Sequence, residues 1–282
     1  MSNRNSDCVC GSGLKKKKCH PDLHIESKAA LVLNLYKELD ELITNYRSKK
    51  ISSPCRIGCA SCCSDTFNIS DIEFELILKD IKEKWNLSDL EKLYNKSLET
   101  LEWLRVNDPK YYKILEADGT GKIDDTPYLK QIFYGNSRHS ACLFLDEKTN
   151  SCRIYNIRPL VCRSHGTTHD SNFLYKDDIV CEYIPSTIQN SKVTPDASEL
   201  IKQGNDIFHI KKENAIIRIR EYPIFYWFVI YYRRTGKKDG SILREDENFR
   251  FSKTFADNQL MNSQPKMELL SYPSKCLRFY KA

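Results

Sequence analysis

The chain has 282 residues, 40% hydrophobic, 29% charged and 11% aromatic, a balance that supports a buried core and excludes a disordered chain. No apolar run reaches the roughly 18 residues of a membrane-spanning helix and no apolar stretch follows the N-terminal charges, so neither a membrane span nor a secretory signal is expected, and the default location is cytoplasmic. The formal net charge is +6 with cysteines counted neutral; if roughly eleven of them ionise around two metal centres adding about +4, the total falls to about −1, so no specific DNA binding is expected.

Residues 1–24 are polar, with a turn at Gly11-Ser12-Gly13. Apolar residues at 32, 35, 36, 39, 42, 43 and 46 predict an amphipathic helix over 27–49, broken by Ser52, Ser53 and Pro54. A cysteine-bearing loop containing Gly58 follows. Ser70 with Glu73 is a capping-box signature that opens a helix running to Trp85. Ser88 with Glu91 repeats it and opens a second helix running to Val106. Pro109 starts a short third helix ending near Gly119. Residues 118–126 are turn-rich, and 127–135 predict another short helix. The segment 140–185 has few helical periods and reads as loops and short turns wrapped around a metal. A helix is predicted over 196–220, and Pro223 suits the first turn of a last helix. That helix is apolar all round (Ile224, Phe225, Trp227, Phe228, Val229, Tyr231, Tyr232) and reads as buried core. Residues 236–282 read as irregular. The expected fold is mainly α: a helical domain with metal-pinned irregular loops, preceded by a small zinc knuckle. The expected divisions are a knuckle at 1–24, a linking amphipathic helix at 25–51, a cysteine cluster domain with C-terminal helices at 52–235, and an irregular tail at 236–282.

Twelve cysteines are the most informative feature. In a reducing compartment they are not a disulfide framework, and metal binding is the leading reading. Cys8, Cys10, Cys19 and His20 supply three sulfurs and one imidazole, the set a tetrahedral zinc prefers. Gly11 and Gly13 permit the left-handed turn that brings the chain back. The basic stretch Lys15 to Lys18 reads as a solvated loop offsetting an anionic zinc–thiolate centre. This Cys-Val-Cys-Gly-Ser-Gly…Cys-His stretch resembles the SEC-C zinc-binding motif. The resemblance implies one structural zinc and an interaction module, with a protein or ribosome partner bound through the knuckle.

The second constellation is Cys55, Cys59, Cys62 and Cys63, then Cys142, Cys152, Cys162 and Cys181. Eight thiols allow two four-thiolate sites, or one iron–sulfur cluster with thiols to spare. Adjacent Cys62 and Cys63 point in different directions and can serve different metals. Arg158 and Arg163 flank Cys162, where their donors can hydrogen-bond cluster sulfurs or a carboxylate. His165 and His169 follow as polar-loop histidines able to ligate, whereas His139, His209 and the isolated Cys276 carry no metal signal. Three pieces, Cys55 to Cys63, Cys142-Leu-Phe-Leu145 and Cys152-Arg-Ile-Tyr-Asn-Ile-Arg-Pro-Leu-Val-Cys-Arg163, with Cys181 last, resemble the YkgJ-like family of zinc- or iron-chelating domains over roughly 52–185. Ser151 stands where glycine is common. The resemblance implies a metal centre of zinc or iron–sulfur type, with Arg158 and Arg163 beside it. That family is distantly similar to bacterial flagellin lysine-N-methylase, which carries a related cysteine pattern.

No dinucleotide fingerprint, phosphate loop or serine-hydrolase elbow occurs. Cys55, Cys59 and Cys62 have the spacing of radical S-adenosylmethionine enzymes, but no repeating strand–helix units follow to build their barrel. The expected function is a cytoplasmic bacterial metal-binding protein, with structural zinc in the knuckle and a second cysteine-ligated zinc or iron–sulfur centre. The alternatives are an iron–sulfur-dependent protein-modifying enzyme, an adaptor docking ribosomal or secretory partners through the knuckle, or a metal store.

Overall fold

The computed structural model describes residues 4–21, 23–25, 27–49, 55–56, 58–64, 67–116, 141–173, 181, 183–184, 193–212, 215–218 and 222–235. In chain order these form helices α1 (Lys16–Cys19), α2 (Lys28–Ser48), α3 (Asp71–Lys84), α4 (Leu87–Asn107), α5 (Pro109–Glu116), α6 (Leu160–Ser164), α7 (Ser198–Phe208) and α8 (Ile224–Thr235). Short strands are β1 (Asn68–Ile69), β2 (Leu145–Asp146), β3 (Ser151–Cys152), β4 (His209–Lys212), β5 (Ala215–Arg218) and β6 (Tyr222–Pro223). The fold is mainly α, as expected. The helix expected at 127–135, the tail at 236–282, His139 and Cys276 lie outside the described residues.

The chain divides into two compact units. The first takes its described residues from Met1–Cys62 and Glu147–Arg220. Helix α2 is its spine. Ser27 caps it, its Oγ accepting from the Ala30 N–H at 3.2 Å and donating to the His24 carbonyl at 2.6 Å. The amphipathic period then buries Val32, Leu35, Tyr36, Leu39 and Ile43, and α2 packs against α6 and α7. The approach is close. A Cβ on Gly204 of α7 would lie 2.6 Å from Leu160 Cδ2 and 3.1 Å from Leu35 Cδ2, so glycine is what lets three elements meet there.

The helix expected over 196–220 stops at Phe208. Residues from His209 on form the antiparallel pair β4–β5, with Ile210 opposite Ile217. β-Branched isoleucines at 210, 216 and 217 favour strand.

The second unit takes its described residues from Cys63–Asp146 and Glu221–Phe249. Its α3 starts with the expected capping box: the Ser70 Oγ accepts from the Glu73 N–H at 3.4 Å, and Glu73 Oε2 accepts from the Ser70 N–H at 3.1 Å. Helix α4 starts two residues earlier than its expected cap. Asn86, not Ser88, is the N-cap, accepting from the Asp89 N–H at 2.9 Å; asparagine is a strong N-cap and Ser88 falls inside the first turn. Residues 224–231 of α8 are all buried, and α8 packs on α3 and α4. Phe74 stacks on Trp227 at 5.5 Å and meets Phe228 edge-on at 5.0 Å. The polar tips are satisfied: Trp227 Nε1 donates to the Ile69 carbonyl at 2.9 Å and the Tyr226 hydroxyl to the Leu115 carbonyl at 2.8 Å. The aromatic run is core, as its composition predicts.

Candidate functional site

The N-terminal residues fold back as their glycines allow. Gly11 and Gly13 both have φ of +74°. Cys8 N–H donates to the Leu14 carbonyl at 2.9 Å, and Lys16 N–H to the Ser6 carbonyl at 2.9 Å. Helix α1 then presents Cys19, with His20 directly after it. Cys8, Cys10, Cys19 and His20 offer one ligand atom each, all within 4.8 Å of one another. Cys10 and Cys19 sulfurs are 3.4 Å apart, and His20 Nδ1 lies 3.1 Å from Cys8 Sγ and 3.2 Å from Cys19 Sγ. A tetrahedral zinc–thiolate site has edges of about 3.8 Å, so the donor set and its spacing fit zinc. Among the described residues this is the one group of three or more such atoms within that distance.

The electrostatics suit a cation. Burial pushes the Cys8 thiol up to about 12, and the neighbouring Cys10 adds to it. Burial and the Cys10 charge also raise Cys19. Burial works the same way at Cys10 but is outweighed by hydrogen bonds from His20, Ser12 and Cys19, which bring it down to about 6. One thiolate therefore exists near neutral pH, and two further protons are there to be displaced by a metal. Ser12, which the sequence reading used only as turn material, has its hydroxyl 3.2 Å from Cys19 Sγ.

The basic stretch is solvated at Lys15, Lys17 and Lys18, but from Lys16 on it is helix rather than loop. Residues Lys16–Cys19 are helical, Lys16 is buried, and Lys15 pairs with Asp7 at 2.8 Å. The knuckle touches α2 at one point: a Cβ on Gly11 would lie 2.8 Å from Lys37 Cγ.

The other described cysteines are half-buried and unbridged. In the first unit, Arg47 at the end of α2 donates to the Cys55 carbonyl at 2.6 Å. Cys59 follows Gly58, whose φ is +87°, and its N–H donates to the Arg56 carbonyl at 3.1 Å. Cys62 lies in a 3-10 turn, Ser61–Ser64. Cys152 is on β3 and Cys162 on α6. Cys181 comes within 3.5 Å of where a Gly166 Cβ would stand, over the turn that follows α6. Burial raises Cys55, Cys152 and Cys181. The charge of Cys62 adds to all three, so these thiols from both blocks share one electrostatic neighbourhood. In the second unit Cys142 N–H donates to the Cys63 carbonyl at 2.6 Å, which joins the two blocks a second time.

The two arginines differ. Arg163 is 2% exposed. Its Nε donates to the Arg158 carbonyl at 2.9 Å, its Nη2 to the Asn156 carbonyl at 2.5 Å and its Nη1 to Asp40 of α2. Its guanidinium also lies 4.4 Å over the Tyr36 ring. Of the expected partners, it is the carboxylate that Arg163 meets. Asp40 and Tyr36 were missed by the sequence reading, and nothing local marks them, since Asp40 is 123 residues away. Arg158 lies 4.1 Å over the Tyr155 ring and 3.9 Å from Asp40. His165 caps the end of α6, and His169 Nδ1 is 3.3 Å from the Thr194 hydroxyl. His209 opens β4 rather than lying in a helix.

No curated protein and no solved structure matches this chain. Residues 54–182, a little under half of the chain, match the family model CxxCxxCC, described as a "Putative zinc- or iron-chelating domain".

Proposed function

We propose that this protein is a two-centre metal-binding protein, with a structural zinc in the knuckle and a second, cysteine-ligated zinc or iron–sulfur centre. The observation that carries the reading is the convergence of Cys8, Cys10, Cys19 and His20 within 4.8 Å. Zinc bound there supplies a cross-link between the turn at Gly11-Ser12-Gly13 and α1. The chain's own part is to hold the four donors at tetrahedral spacing and to brace Cys19 with Ser12. The contact of Gly11 with Lys37 supports a structural knuckle of the SEC-C type over a free docking arm.

The second centre draws on Cys55, Cys59, Cys62, Cys63, Cys142, Cys152, Cys162 and Cys181. The chelating-domain match over 54–182 supports it. So does the shared neighbourhood of Cys55, Cys62, Cys152 and Cys181. Soft thiolates suit zinc and iron–sulfur clusters alike. Outside the knuckle, no three ligand atoms among the described residues lie within 4.8 Å of one another.

Metal analysis with an absorption spectrum, on full-length protein purified without oxygen, tests the reading. Two or more metals per chain, including zinc, are expected, and broad visible absorbance would make the second centre iron–sulfur. A chain that keeps its fold and carries no metal refutes it.

A further inference from the structure

Arg158 and Arg163 bracket Cys162 and read alike in sequence, but their donors are used differently. Arg163 commits Nε, Nη1 and Nη2 to two carbonyls and Asp40. The Arg158 Nε is buried and has no hydrogen-bond partner among the described residues. Its Nη2 stands 3.9 Å from Asp40, beyond hydrogen-bond distance. The side chain is 12% exposed, and its guanidinium carbon lies 4.1 Å from the centroid of the Tyr155 ring. A buried cationic donor left unmatched is costly, and a ligand or ion that completes it is one reason a native chain keeps one. In the chain Arg158 lies between Cys152 of β3 and Cys162 of α6. The Arg158 charge acts to lower both Cys55 and Cys152, against the burial that raises them.

We propose that Arg158 is the sulfur-directed donor of the second centre: its Nε–H hydrogen-bonds a thiolate of Cys55 or Cys152 once that thiolate carries a metal, while Arg163 braces the loop that presents it. The inference rests on the second-centre reading above. It separates a residue that stabilises the loaded site from one that stabilises the fold. A charged donor to a ligating sulfur offsets thiolate charge and lowers the sulfur's donor energy.

Anaerobic cobalt(II) titration of the full-length chain tests this, with R158Q and R158K beside the wild type. The wild type should show two thiolate charge-transfer phases, one from the knuckle. R158Q should weaken the second-centre phase by about 10- to 100-fold and move its charge-transfer band to longer wavelength. The knuckle phase should stay unchanged as a control within the same molecule. R158K, which keeps the charge but not the planar donor, should recover part of the affinity. A second-centre phase of wild-type affinity and band position in R158Q overturns the proposal. Should R158Q lose its helical circular dichroism, R158K decides: a folded R158K with weakened binding supports the proposal, and wild-type binding overturns it. A wild type that takes up cobalt at the knuckle alone refutes the second-centre reading itself, and that titration needs no Arg158 variant.

Discussion

Replacing Arg163 by methionine keeps the bulk of the stem and removes the guanidinium. Its bonds to the Asn156 and Arg158 carbonyls are lost. Asn156 is exposed and Arg158 half-buried, so a figure at the low end applies, about 1 kcal/mol for each bond. The pair with Asp40 counts for less, because Asp40 is 47% exposed; about 0.5–1 kcal/mol is appropriate. The stack on Tyr36 adds about 0.5–1 kcal/mol. R163M should therefore cost about 3–4 kcal/mol. D40N leaves both carbonyl bonds in place and should cost about 1 kcal/mol or less. Guanidinium chloride unfolding followed by circular dichroism, on metal-loaded and metal-stripped protein, measures both. The loss in R163M should persist without metal, because its partners are protein groups. Equal losses in R163M and D40N, or a loss below about 1 kcal/mol in R163M, would refute the assignment of Arg163 as the brace.

Further outcomes are expected elsewhere. S70A should destabilise α3 by about 1–2 kcal/mol, since Ser70 and Glu73 are both buried in the capping box; an unchanged melting temperature would refute this. G204A gains up to about 1 kcal/mol in helix propensity but places a Cβ 2.6 Å from Leu160 Cδ2. Thermal melts should show a net loss of about 1–2 kcal/mol, and a stabilised variant would refute the close contact. Cobalt affinity at the knuckle should rise with pH, because raised Cys8 and Cys19 enter as thiols and must lose protons, while Cys10, lowered to about 6, enters ionised. Between pH 7 and 8 the rise should be about two decades per pH unit, one for each displaced proton; a slope below about one would refute that protonation pattern.

What was legible in the sequence was local. The Ser70–Glu73 box sits three residues apart and declares α3 without reference to the rest of the chain. The knuckle is equally local, its four donors spanning 8–20. The period of α2 gave its buried face because one side of a helix suffices to show it. Errors arose where local signals competed. Ser88–Glu91 has the form of a cap, but Asn86 comes first and takes the role. The apolar residues after Phe208 fit a helix by count, and only their β-branched character separates them as β4–β5. Lys16 was invisible as a buried residue inside a run of four lysines. The Asp40–Arg163 pair could not be read at all, because no periodicity links residues 123 positions apart.

The first unit is interrupted in sequence. The chain leaves it at Cys62, lays down the first segment of the second unit, and returns at Glu147. Outside the knuckle its thiols are thus made in two instalments, Cys55 to Cys62 before the interruption and Cys152 to Cys181 after it. At ribosomal speeds of about 5–20 residues per second, roughly 5–20 seconds separate the emergence of Cys62 from that of Cys162. Any centre that draws on both instalments is completed only after the second unit's first segment has been synthesised. The early thiols cross that interval without Cys152, Arg158 or the Arg163 brace, so their exposure to oxidants and to stray metal is greatest during translation.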